Sequence, residues 1–415
     1  MNRILVLNCG SSSIKYRLFD KDFNTILYGI IERIGKEAQL VHRKKDKTWT
    51  EPAKAENHKQ GIRLLLTLLH DPERGAIKRV TEISVVGHRV VHGGQFAKTA
   101  VVSAVAMRYL KAFEMLAPLH NPHNITGIME MKKAMPNIPQ VMVFDTEFHQ
   151  TMPRKAYMYG LPYQFFDKYA VRKYGFHGTS HKYVARRAAQ ILGKKKPNLI
   201  TCHLGAGSSL TAVKEGKSVD TSMGMTPLEG VMMGTRTGDI DPAVMQYLVK
   251  KYGMDYDELF DTMNFRSGLL GVSGVSKDIR MIEGKAKKGN ERCRLALEMF
   301  CYRVAKYIGA YAVALGKVDA IVFTAGIGEN AVNIRKEICS YLSIIGAKID
   351  LAKNKKAVTF FRSERKKADA NCQSNLHIAK EAEISARNSR VRILVIPTNE
   401  ELMIAKEAVD AIGGR

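Results

Sequence analysis

Two arginines in this chain are placed where a guanidinium group could bind a carboxylate or a phosphate. Arg89 follows the apolar run 83–86 and precedes a Gly-Gly pair, and Arg236 lies in Gly234-Thr235-Arg236-Thr237-Gly238-Asp239. Arginine flanked by small residues is free to form two parallel hydrogen bonds to such an anion. Either arginine alone could instead form a structural salt bridge, so the neighbouring motifs decide between the two interpretations.

Seven histidines lie beside glycine-rich segments or at the ends of apolar runs. His177 and His181 are four residues apart, a spacing found in zinc sites, but the chain has no H-E-x-x-H motif and no obvious third ligand. A structural, hydrogen-bonded histidine is the ordinary alternative at each position. Their number beside glycine-rich strand ends favours a polar site that binds anions. The seven are His88, His92, His120, His149, His177, His181 and His203.

Three side chains with oxygen ligands follow apolar, strand-like runs: Asn8, Asp145 and Glu400. Carboxylate and amide oxygens suit Mg²⁺, which prefers octahedral oxygen coordination. Phosphoryl transfer needs a metal ion, cations that bind the equatorial oxygens, and in-line placement of two substrates. The chain has side chains for each of these tasks and no evident covalent nucleophile, so phosphoryl transfer is a chemistry that these residues could support.

Two short hairpins rich in glycine and serine, 4–16 and 199–213, look like copies of one device. Each predicts an apolar strand, a polar residue, a turn with hydroxyl groups, and a second strand. Such a turn directs backbone N–H groups and hydroxyls toward a phosphate, and we expect positive φ angles and close approach at its glycines. No G-x-x-x-x-G-K-[ST] motif occurs, so the chain is not a P-loop protein.

The elements that must position these residues follow an α/β pattern. Strands are expected at 3–7, 14–19, 25–32, 83–86, 140–144, 320–324 and 391–396, and helices at 61–69, 182–192, 242–252, 291–315 and after Glu401. We expect Thr179 or Ser180 to cap the second of these helices, and the polar segment Ser363–Asn375 to be an exposed loop. The expected domains are 1–150 with 397–415, and 151–396.

Composition limits the class of protein further. The 415 residues carry a formal net charge of +25, but the charge is dispersed and no nucleic-acid motif accompanies it. We therefore expect a solvated basic surface, with no nucleic-acid partner. The six cysteines form no C-x-x-C pair, and no stretch approaches the ~20 apolar residues of a membrane span. A cytoplasmic protein without a membrane partner is expected.

Taken together, the motifs resemble the acetokinase family, in the superfamily of actin, sugar kinases and Hsp70. They occur in the family's order over nearly the whole chain: Asn8–Ser13, Gly87–Gly94, Pro118–Pro122, Phe144–Thr146, Tyr174–His181, His203–Ser209, Thr226–Pro242, Phe323–Asn330 and Pro397–Glu401. The resemblance implies a duplicated ribonuclease-H-like two-domain α/β fold with a central cleft. It also implies a homodimer that transfers a phosphoryl group reversibly and in line from ATP to acetate, giving ADP and acetyl phosphate, with Mg²⁺ or alternatively Mn²⁺.

The resemblance also assigns roles to individual residues. The implied catalytic residues are Asp145, Arg89, Arg236 and His177, with Asn8 and Glu400 placing the metal ion. The implied acyl site comprises Arg89, Val91, Leu119, His120, Phe176 and Pro227. The implied nucleotide site comprises Lys15, His203, Leu204, Gly205, Ala206, Gly207, Asp278, Ile279, Arg280, Gly326, Ile327, Gly328, Glu329 and Asn330.

Three residues depart from the family pattern. Gln95 stands where the family usually has Glu, Ala206 replaces an Asn, and Ile279 replaces an aromatic residue. These changes affect the acyl site, one phosphate contact and nucleobase packing, and none removes an arginine, His177 or a metal-side carboxylate. We therefore expect an active enzyme.

Two other functions stay open at this point. A kinase of propionate or butyrate differs only by methylenes in an apolar pocket, each worth ~1–3 kcal/mol. An Hsp70-like or actin-like nucleotide clamp shares the fold but needs no converging arginines and no methyl-sized pocket. Acyl-dependent formation of ADP distinguishes the clamp from a kinase.

Overall fold

The computed structural model describes residues 3–94, 98–117, 120–357 and 380–413. The departure at Gln95, the acyl-site residue Leu119 and the expected loop Ser363–Asn375 lie outside the described residues. The described chain forms two compact units, one ending at Glu147 and resuming at Asn399, the other running from Phe148 to Thr398. No helix among the described residues is long and apolar enough to span a membrane.

Fourteen strands lie in the described parts of the chain. They are β1 Arg3–Cys9, β2 Ser13–Phe19, β3 Thr25–Glu32, β4 Gln39–Lys44, β5 Lys47–Pro52, β6 Ile83–Val90, β7 Ala100–Val101, β8 Gln140–Phe144, β9 Leu199–Leu204, β10 Ser208–Lys214, β11 Lys217–Thr221, β12 Ala320–Thr324, β13 Ala382–Glu383 and β14 Arg392–Val395. All seven predicted strands are confirmed, and those at 25–32, 140–144 and 320–324 have the predicted bounds.

The α-helices of the described residues are as follows. They are α1 His58–His70, α2 Ala104–Ala112, α3 Asn121–Ala134, α4 Arg154–Tyr157, α5 Tyr163–Tyr169, α6 Gly178–Leu192, α7 Ala243–Tyr252, α8 Tyr256–Asp261, α9 Gly268–Ser273, α10 Ile279–Lys287, α11 Glu291–Leu315, α12 Ala325–Asn330, α13 Val332–Ser340, α14 Leu351–Lys356 and α15 Glu400–Gly413. The predicted helix 291–315 is confirmed residue for residue.

The two sheets repeat one topology. In the first unit the strand order is β5-β4-β3-β2-β1-β6-β8-β7, and in the second it is β11-β10-β9-β12-β14-β13. The hairpin β1–β2 is antiparallel and β1 pairs in parallel with β6, as the hairpin β9–β10 is antiparallel and β9 pairs in parallel with β12. The next strand, β8 or β14, continues in parallel. This repetition confirms the predicted duplicated α/β fold.

The layers on each sheet follow from strand alternation, which points successive side chains to opposite faces. In β1, Leu5 and Leu7 pack with α1 residues such as Leu65, whereas Ile4 and Val6 pack with Ile404 of α15. In the second unit α11 covers one face of the sheet and α6 the other. Both hairpins are therefore held by strands that are buried on both faces.

The turns of the two hairpins correct one expectation. Gly10, Gly205 and Gly207 do not have positive φ angles. Close approach is what favours glycine here: a Cβ on Gly10 would lie 3.2 Å from Ser13 Oγ, and one on Gly205 would lie 3.2 Å from the Gly207 carbonyl oxygen. The N–H groups of Gly10 and Gly205 donate within their own turns, to Ser13 and Gly207.

The start of α6 corrects a second expectation. Thr179 and Ser180 lie inside the helix, and its N-cap residue is His177, with a left-handed φ of 55°. A non-glycine residue in this conformation is unusual. The consequence is that the Ser180 hydroxyl is available for contacts other than a cap.

Candidate active site

Arg89 and Asp145 form an ion pair at the ends of two adjacent parallel strands of the first unit. Arg89 Nη2 lies 2.6 Å from Asp145 Oδ2, and Arg89 Nε lies 3.1 Å from Oδ1. The Asp145 side chain is 1% exposed and that of Arg89 is 18% exposed. Burial alone would lower the pKa of Arg89, but the carboxylates of Asp145 and Glu400 outweigh it and raise that pKa. Arg89 is therefore a fixed cation with one edge of its guanidinium occupied.

Glu400, the first residue of α15, places a second carboxylate near the ion pair of Arg89 and Asp145. Burial raises the pKa of Glu400, an effect that the charge of Arg89 opposes and that of Asp145 reinforces. The Glu400 Oε1 atom is buried and has no hydrogen-bond partner among the described residues. A buried oxygen of this kind is costly unless another group satisfies it.

These residues fit a magnesium ion. The described chain holds no group of three or more His, Cys, Asp or Glu side chains arranged for a metal. Mg²⁺, however, is commonly bound through one or two carboxylates, with water and substrate phosphates in its other positions. The unpartnered Oε1 of Glu400 beside Asp145 suits that mode. Asn8 belongs to β1, where it pairs across the hairpin with Lys15, which is exposed and lies near enough to lower the pKa of Glu400.

Two residues implied for the acyl site also belong to the first unit. Val91 directly follows β6; its side chain is buried, and its N–H donates to Asn124 Oδ1 at 3.1 Å. His120 is the N-cap residue of α3 and is partly buried. Asn124 also donates to the Cys9 carbonyl oxygen at 2.7 Å, so one side chain of α3 links Val91 to the first hairpin.

In the second unit, Arg236 and His177 converge on the turn of the second hairpin. A Cβ placed on Gly207 would lie 3.2 Å from Arg236 Nη1 and 3.4 Å from His177 Nε2. The loop that carries Arg236 is tied to the same turn, because the Gly234 N–H donates to the Ala206 carbonyl oxygen at 3.1 Å. The sequence singled out both residues, and the structure brings them together at this glycine.

Arg236 differs from Arg89 in having no carboxylate partner among the described residues. Its Nη1 lies 3.5 Å from the Pro227 carbonyl oxygen and 3.8 Å from Met233 Sδ. Burial lowers the pKa of Arg236. A half-buried guanidinium with such weak partners is prepared to bind an anionic ligand.

A network of imidazoles and hydroxyls supports His177. Its ring stacks on that of His203, with centroids 4.1 Å apart. His177 Nδ1 lies 2.8 Å from Ser209 Oγ, and His203 Nδ1 lies 2.8 Å from Ser180 Oγ. Leu204 and Ser208 pair across the hairpin beside these rings. Each ring is thus held at Nδ1 by a serine, with Nε2 toward the glycine-rich turn.

His181, one helical turn after His177, continues this network. His181 Nε2 lies 2.8 Å from the same Ser209 Oγ, and its Nδ1 lies 2.7 Å from Thr201 Oγ1. Burial lowers the pKa of His181 well below its ordinary value, so the ring is neutral. From the sequence, His181 is a possible zinc ligand, a structural histidine or part of an anion site, and Ser180 is a possible cap. Neither the contact of His181 with Ser209 and Thr201 nor that of Ser180 with His203 is predicted. The four-residue spacing from His177 was the one available signal.

The remaining acyl-site residues of the second unit are Phe176 and Pro227. Phe176 is fully buried, and its carbonyl oxygen lies 2.9 Å from His149 Nε2. Pro227 is partly buried and contributes the carbonyl oxygen near Arg236. Phe176 therefore precedes His177 directly in the sequence, and Pro227 lies next to Arg236 in the structure.

Asp278, Ile279 and Arg280, implied for the nucleotide site, form the start of α10. Asp278 is its N-cap residue and accepts the Arg280 N–H at 3.0 Å, and the two side chains form a bidentate ion pair. Ile279 is buried in the core under α11. Arg280 is exposed and Asp278 partly so, which leaves this pair, and not Ile279, at the surface.

Gly326 to Asn330, the other part of the implied nucleotide site, form the short helix α12 directly after β12. Ile327 packs on the core, and Asn330 Nδ2 donates to the Gly326 carbonyl oxygen at 3.0 Å. The buried side chain of Arg335 stabilises the helix by donating to the Gly328 carbonyl oxygen at 2.9 Å. The helix is thus anchored from the core side.

The carboxylate of Glu329 forms a hydrogen bond within the protein. Its Oε1 accepts the Thr398 N–H at 3.1 Å. Burial raises the pKa of Glu329 to about 7, and the N–H of Thr398 lowers it by a smaller amount. Thr398 Oγ1 in turn lies 2.7 Å from Ser180 Oγ. Glu329 therefore connects α12 to the serine that holds His203.

The chain is similar over its whole length to known kinases. The model of the Acetokinase family matches residues 3–406. Acetate kinase of Carboxydothermus hydrogenoformans is 51% identical over 99% of both chains. The crystal structure of acetate kinase from Porphyromonas gingivalis has a TM-score of 0.88 at 41% identity, covering 99% of this chain and 100% of its own. That of a propionate kinase from Francisella tularensis has the same TM-score and coverage at 42% identity.

Proposed function

The chain belongs to the acetokinase family and is a kinase that phosphorylates acetate, and we propose here how its residues carry out that reaction. The proposed reaction is reversible in-line transfer of a phosphoryl group from ATP to acetate, giving ADP and acetyl phosphate. Most of the work in such a transfer is positioning and charge stabilisation, because no covalent intermediate is needed.

The observation that carries the proposal is the convergence of Arg236 and His177 on Gly207. Arg236 is half-buried, and no described carboxylate neutralises it, so the anion it lacks is supplied by a ligand. We propose that the transferring phosphoryl group is this ligand. Arg236 would bind its equatorial oxygens, and His177 would donate a hydrogen bond to them from Nε2 as charge develops.

In the first unit we propose that Arg89 binds the acetate carboxylate and that Asp145 holds Arg89 in orientation through their ion pair. Asn8, Glu400 and Asp145 would hold a Mg²⁺ ion, for which Mn²⁺ could substitute. When bound, the ion neutralises phosphate charge. The unpartnered Oε1 of Glu400 is the feature of the described chain that supports a cation here.

For the nucleotide we propose a site made by the second hairpin and two helix starts. His203, Leu204, Gly205, Ala206 and Gly207 would contact the phosphates, together with Lys15. The adenosine end would contact Asp278, Ile279, Arg280 and the segment from Gly326 through Ile327, Gly328 and Glu329 to Asn330. Because Ile279 is buried and Glu329 is committed to Thr398, we propose that both act by supporting the site.

For the acyl group we propose an apolar site formed by Val91, Leu119, Phe176 and Pro227, with His120 beside it. Val91 favours a methyl-sized group. Propionate is a second candidate substrate, since the similar structure from Francisella tularensis is that of a propionate kinase. One additional methylene changes binding by only ~1–3 kcal/mol, so a slower reaction with propionate is expected.

We further propose that the protein is a cytoplasmic homodimer and that its functional domains are residues 1–150 with 397–415 and residues 151–396. Helix α7 supports association with a second copy, because none of its residues is buried. Tyr247 and Tyr252 are more than half exposed on it. A large exposed aromatic surface on a helix is typical of an interface.

Turnover of MgATP with acetate, propionate and butyrate in parallel tests the proposed function. Acyl phosphate is trapped as the hydroxamate, so that ATP hydrolysis without acyl transfer gives no signal. The proposal predicts the highest kcat/KM with acetate and a lower value with propionate. Nucleotide binding without acyl phosphate from any of the three acids would contradict it and favour a nucleotide clamp.

A further inference from the structure

His177 is connected to the protein interior by a continuous chain of three hydrogen-bonding groups. Ser209 Oγ lies 2.8 Å from both His177 Nδ1 and His181 Nε2, and Thr201 Oγ1 lies 2.7 Å from His181 Nδ1. Thr201, Ser209 and His181 are all fully buried. Each hydroxyl has one proton to donate, and a neutral imidazole has one N–H and one acceptor nitrogen. A chain in which each of these buried protons is used in a hydrogen bond therefore has one of two directions.

The geometry at Thr201 selects the direction. Its Oγ1 lies 2.7 Å from His181 Nδ1, which can donate or accept, and 3.4 Å from the Thr211 carbonyl oxygen, which can only accept. If His181 Nδ1 donated to Thr201, the Thr201 proton would be left with the distant Thr211 carbonyl oxygen. The shorter distance is typical of a hydroxyl hydrogen bond and the longer one lies outside the usual range. Thr201 therefore donates to His181 Nδ1. Because burial keeps His181 neutral, the single proton of His181 is on Nε2.

The remaining steps follow from proton counting. His181 Nε2–H donates to Ser209 Oγ, and the Ser209 hydroxyl donates to His177 Nδ1. With Nδ1 as an acceptor, the proton of a neutral His177 is on Nε2, the atom that lies 3.4 Å from a Cβ built on Gly207. We propose that His181, with Thr201 and Ser209, fixes the tautomer of His177 so that the neutral ring donates from Nε2 to the transferring phosphoryl group.

The surroundings of His177 agree with a neutral donor. Its ring stacks on His203 of β9, Arg236 approaches the same turn, and Ser209 of β10 and His181 of α6 lie behind it. His181 in turn has the rings of His149 and His203 at 5.7 and 6.2 Å. The groups behind His177 are the uncharged hydroxyls of Ser209 and Thr201 and the neutral ring of His181. The adjacent guanidinium of Arg236 disfavours a second positive charge on His177. His181 is thus a positioning residue that acts through His177.

This inference rests on the proposed function, but its first test does not need turnover. Nitrogen-15 NMR of the full chain with labelled histidine reports which ring nitrogen carries the proton, and loss of one signal set in His177→Gln assigns His177. At a pH where the ring is neutral, we expect protonation at Nε2. Protonation at Nδ1 would overturn the inference even if the chain phosphorylates acetate.

A matched pair of variants tests the direction. Thr201→Ser keeps the hydroxyl and should leave the His177 spectrum unchanged, whereas Thr201→Val keeps the shape and should give a mixture of tautomers. If Thr201→Val does not fold, Ser209→Ala removes the last link and should have the same effect. His149→Gln removes a neighbouring ring outside the chain and should not change the tautomer. An unchanged His177 spectrum in folded Thr201→Val or Ser209→Ala would refute the relay.

A kinetic experiment tests the charge of His177 during turnover. If the neutral ring is the donor, kcat with acetate does not fall as pH rises through the titration of His177 measured by NMR. A tenfold loss of kcat per pH unit above that titration would show that the imidazolium is the active form, and the inference would be wrong.

Discussion

The ion pair between Arg89 and Asp145 occupies one edge of the Arg89 guanidinium, with Nη2 and Oδ2 2.6 Å apart, whereas Arg236 has no carboxylate partner among the described residues. The two arginines thus differ in what they contribute to the folded protein without substrate. Arg89 satisfies the buried carboxylate of Asp145, and its charge also lowers the pKa of Glu400. Arg236 is a cation that only a ligand can neutralise.

This difference predicts unequal effects on stability for two alanine variants. Arg89→Ala leaves Asp145 buried without its partner, so we expect its unfolding free energy to drop by about 3 kcal/mol. Arg236→Ala removes an unpaired, half-buried charge and should leave stability unchanged within about 0.5 kcal/mol. Urea unfolding of both variants without ligand measures this. Equal destabilisation of the two would mean that Arg236 also has a structural anionic partner.

A substitution at Gly207 should lower activity without unfolding the protein. Gly207 is not in the left-handed region, so the effect of Gly207→Ala comes from its methyl group, which would crowd Arg236 Nη1 and His177 Nε2. We expect kcat to fall by about a hundredfold, the scale of losing one positioned donor, with an unchanged Tm. Gly160→Ala is the matched control, since its Cβ meets no atom within 4 Å. Full activity of Gly207→Ala would exclude this turn from the site.

Removing the carboxylate of Glu400 should change the metal requirement. Glu400→Gln keeps the size of the side chain but replaces the unpartnered, buried oxygen by a neutral amide. We expect the Mg²⁺ concentration for half-maximal turnover to rise by about tenfold, the lower end of the effect of weakening a metal site. Glu401→Gln, the adjacent carboxylate, is the control. If both variants show the same Mg²⁺ dependence as the parent, Glu400 does not hold the metal.

Glu329 should make stability depend on pH near neutrality. Burial raises its pKa from the ordinary 4.5 to about 7, so between these values the folded chain binds more protons there than the unfolded chain. The contribution of Glu329 to the unfolding free energy is complete below pH 4.5 and is lost as pH rises through 7. We expect the parent to lose about 2 to 3 kcal/mol of unfolding free energy in this way. Glu329→Gln, which still accepts the Thr398 N–H, should not show this loss. Urea unfolding at pH 5 and pH 8 measures the unfolding free energy of the parent and of Glu329→Gln. The same change in that free energy between the two pH values in both proteins would contradict the prediction.

Much of the framework could be predicted from the sequence because buried strands leave a clear apolar pattern. The strands at 140–144 and 320–324 have the predicted bounds, since each is buried at every position. The sequence does not predict the hairpin of β4 and β5, because β5 is mostly exposed at the sheet edge and has no apolar pattern. The glycine turns were located correctly, but contact with neighbours and not a positive φ explains their glycines.

The supporting residues of the site could not be predicted, because they are brought together by contacts distant in sequence. Ser180 and Thr398 are separated by 218 residues and His181 and Ser209 by 28. Serine and threonine hydroxyls have no pattern that distinguishes such contacts from surface positions. The predicted cap at Ser180 is wrong. The position of Ser180 before a helical run favours a cap, but the helix begins at Gly178, after His177 with its left-handed φ.

Binding of a mimic of the transferring phosphoryl group tests the central claim most directly. Calorimetry would compare the parent with Arg236→Ala, using MgADP alone and then MgADP with aluminium fluoride and acetate. The account predicts equal affinity of both proteins for MgADP, and affinity for the complete mimic that is at least tenfold weaker in Arg236→Ala, because this arginine acts on the group in transfer. Equal affinity of both proteins for the complete mimic would contradict the account.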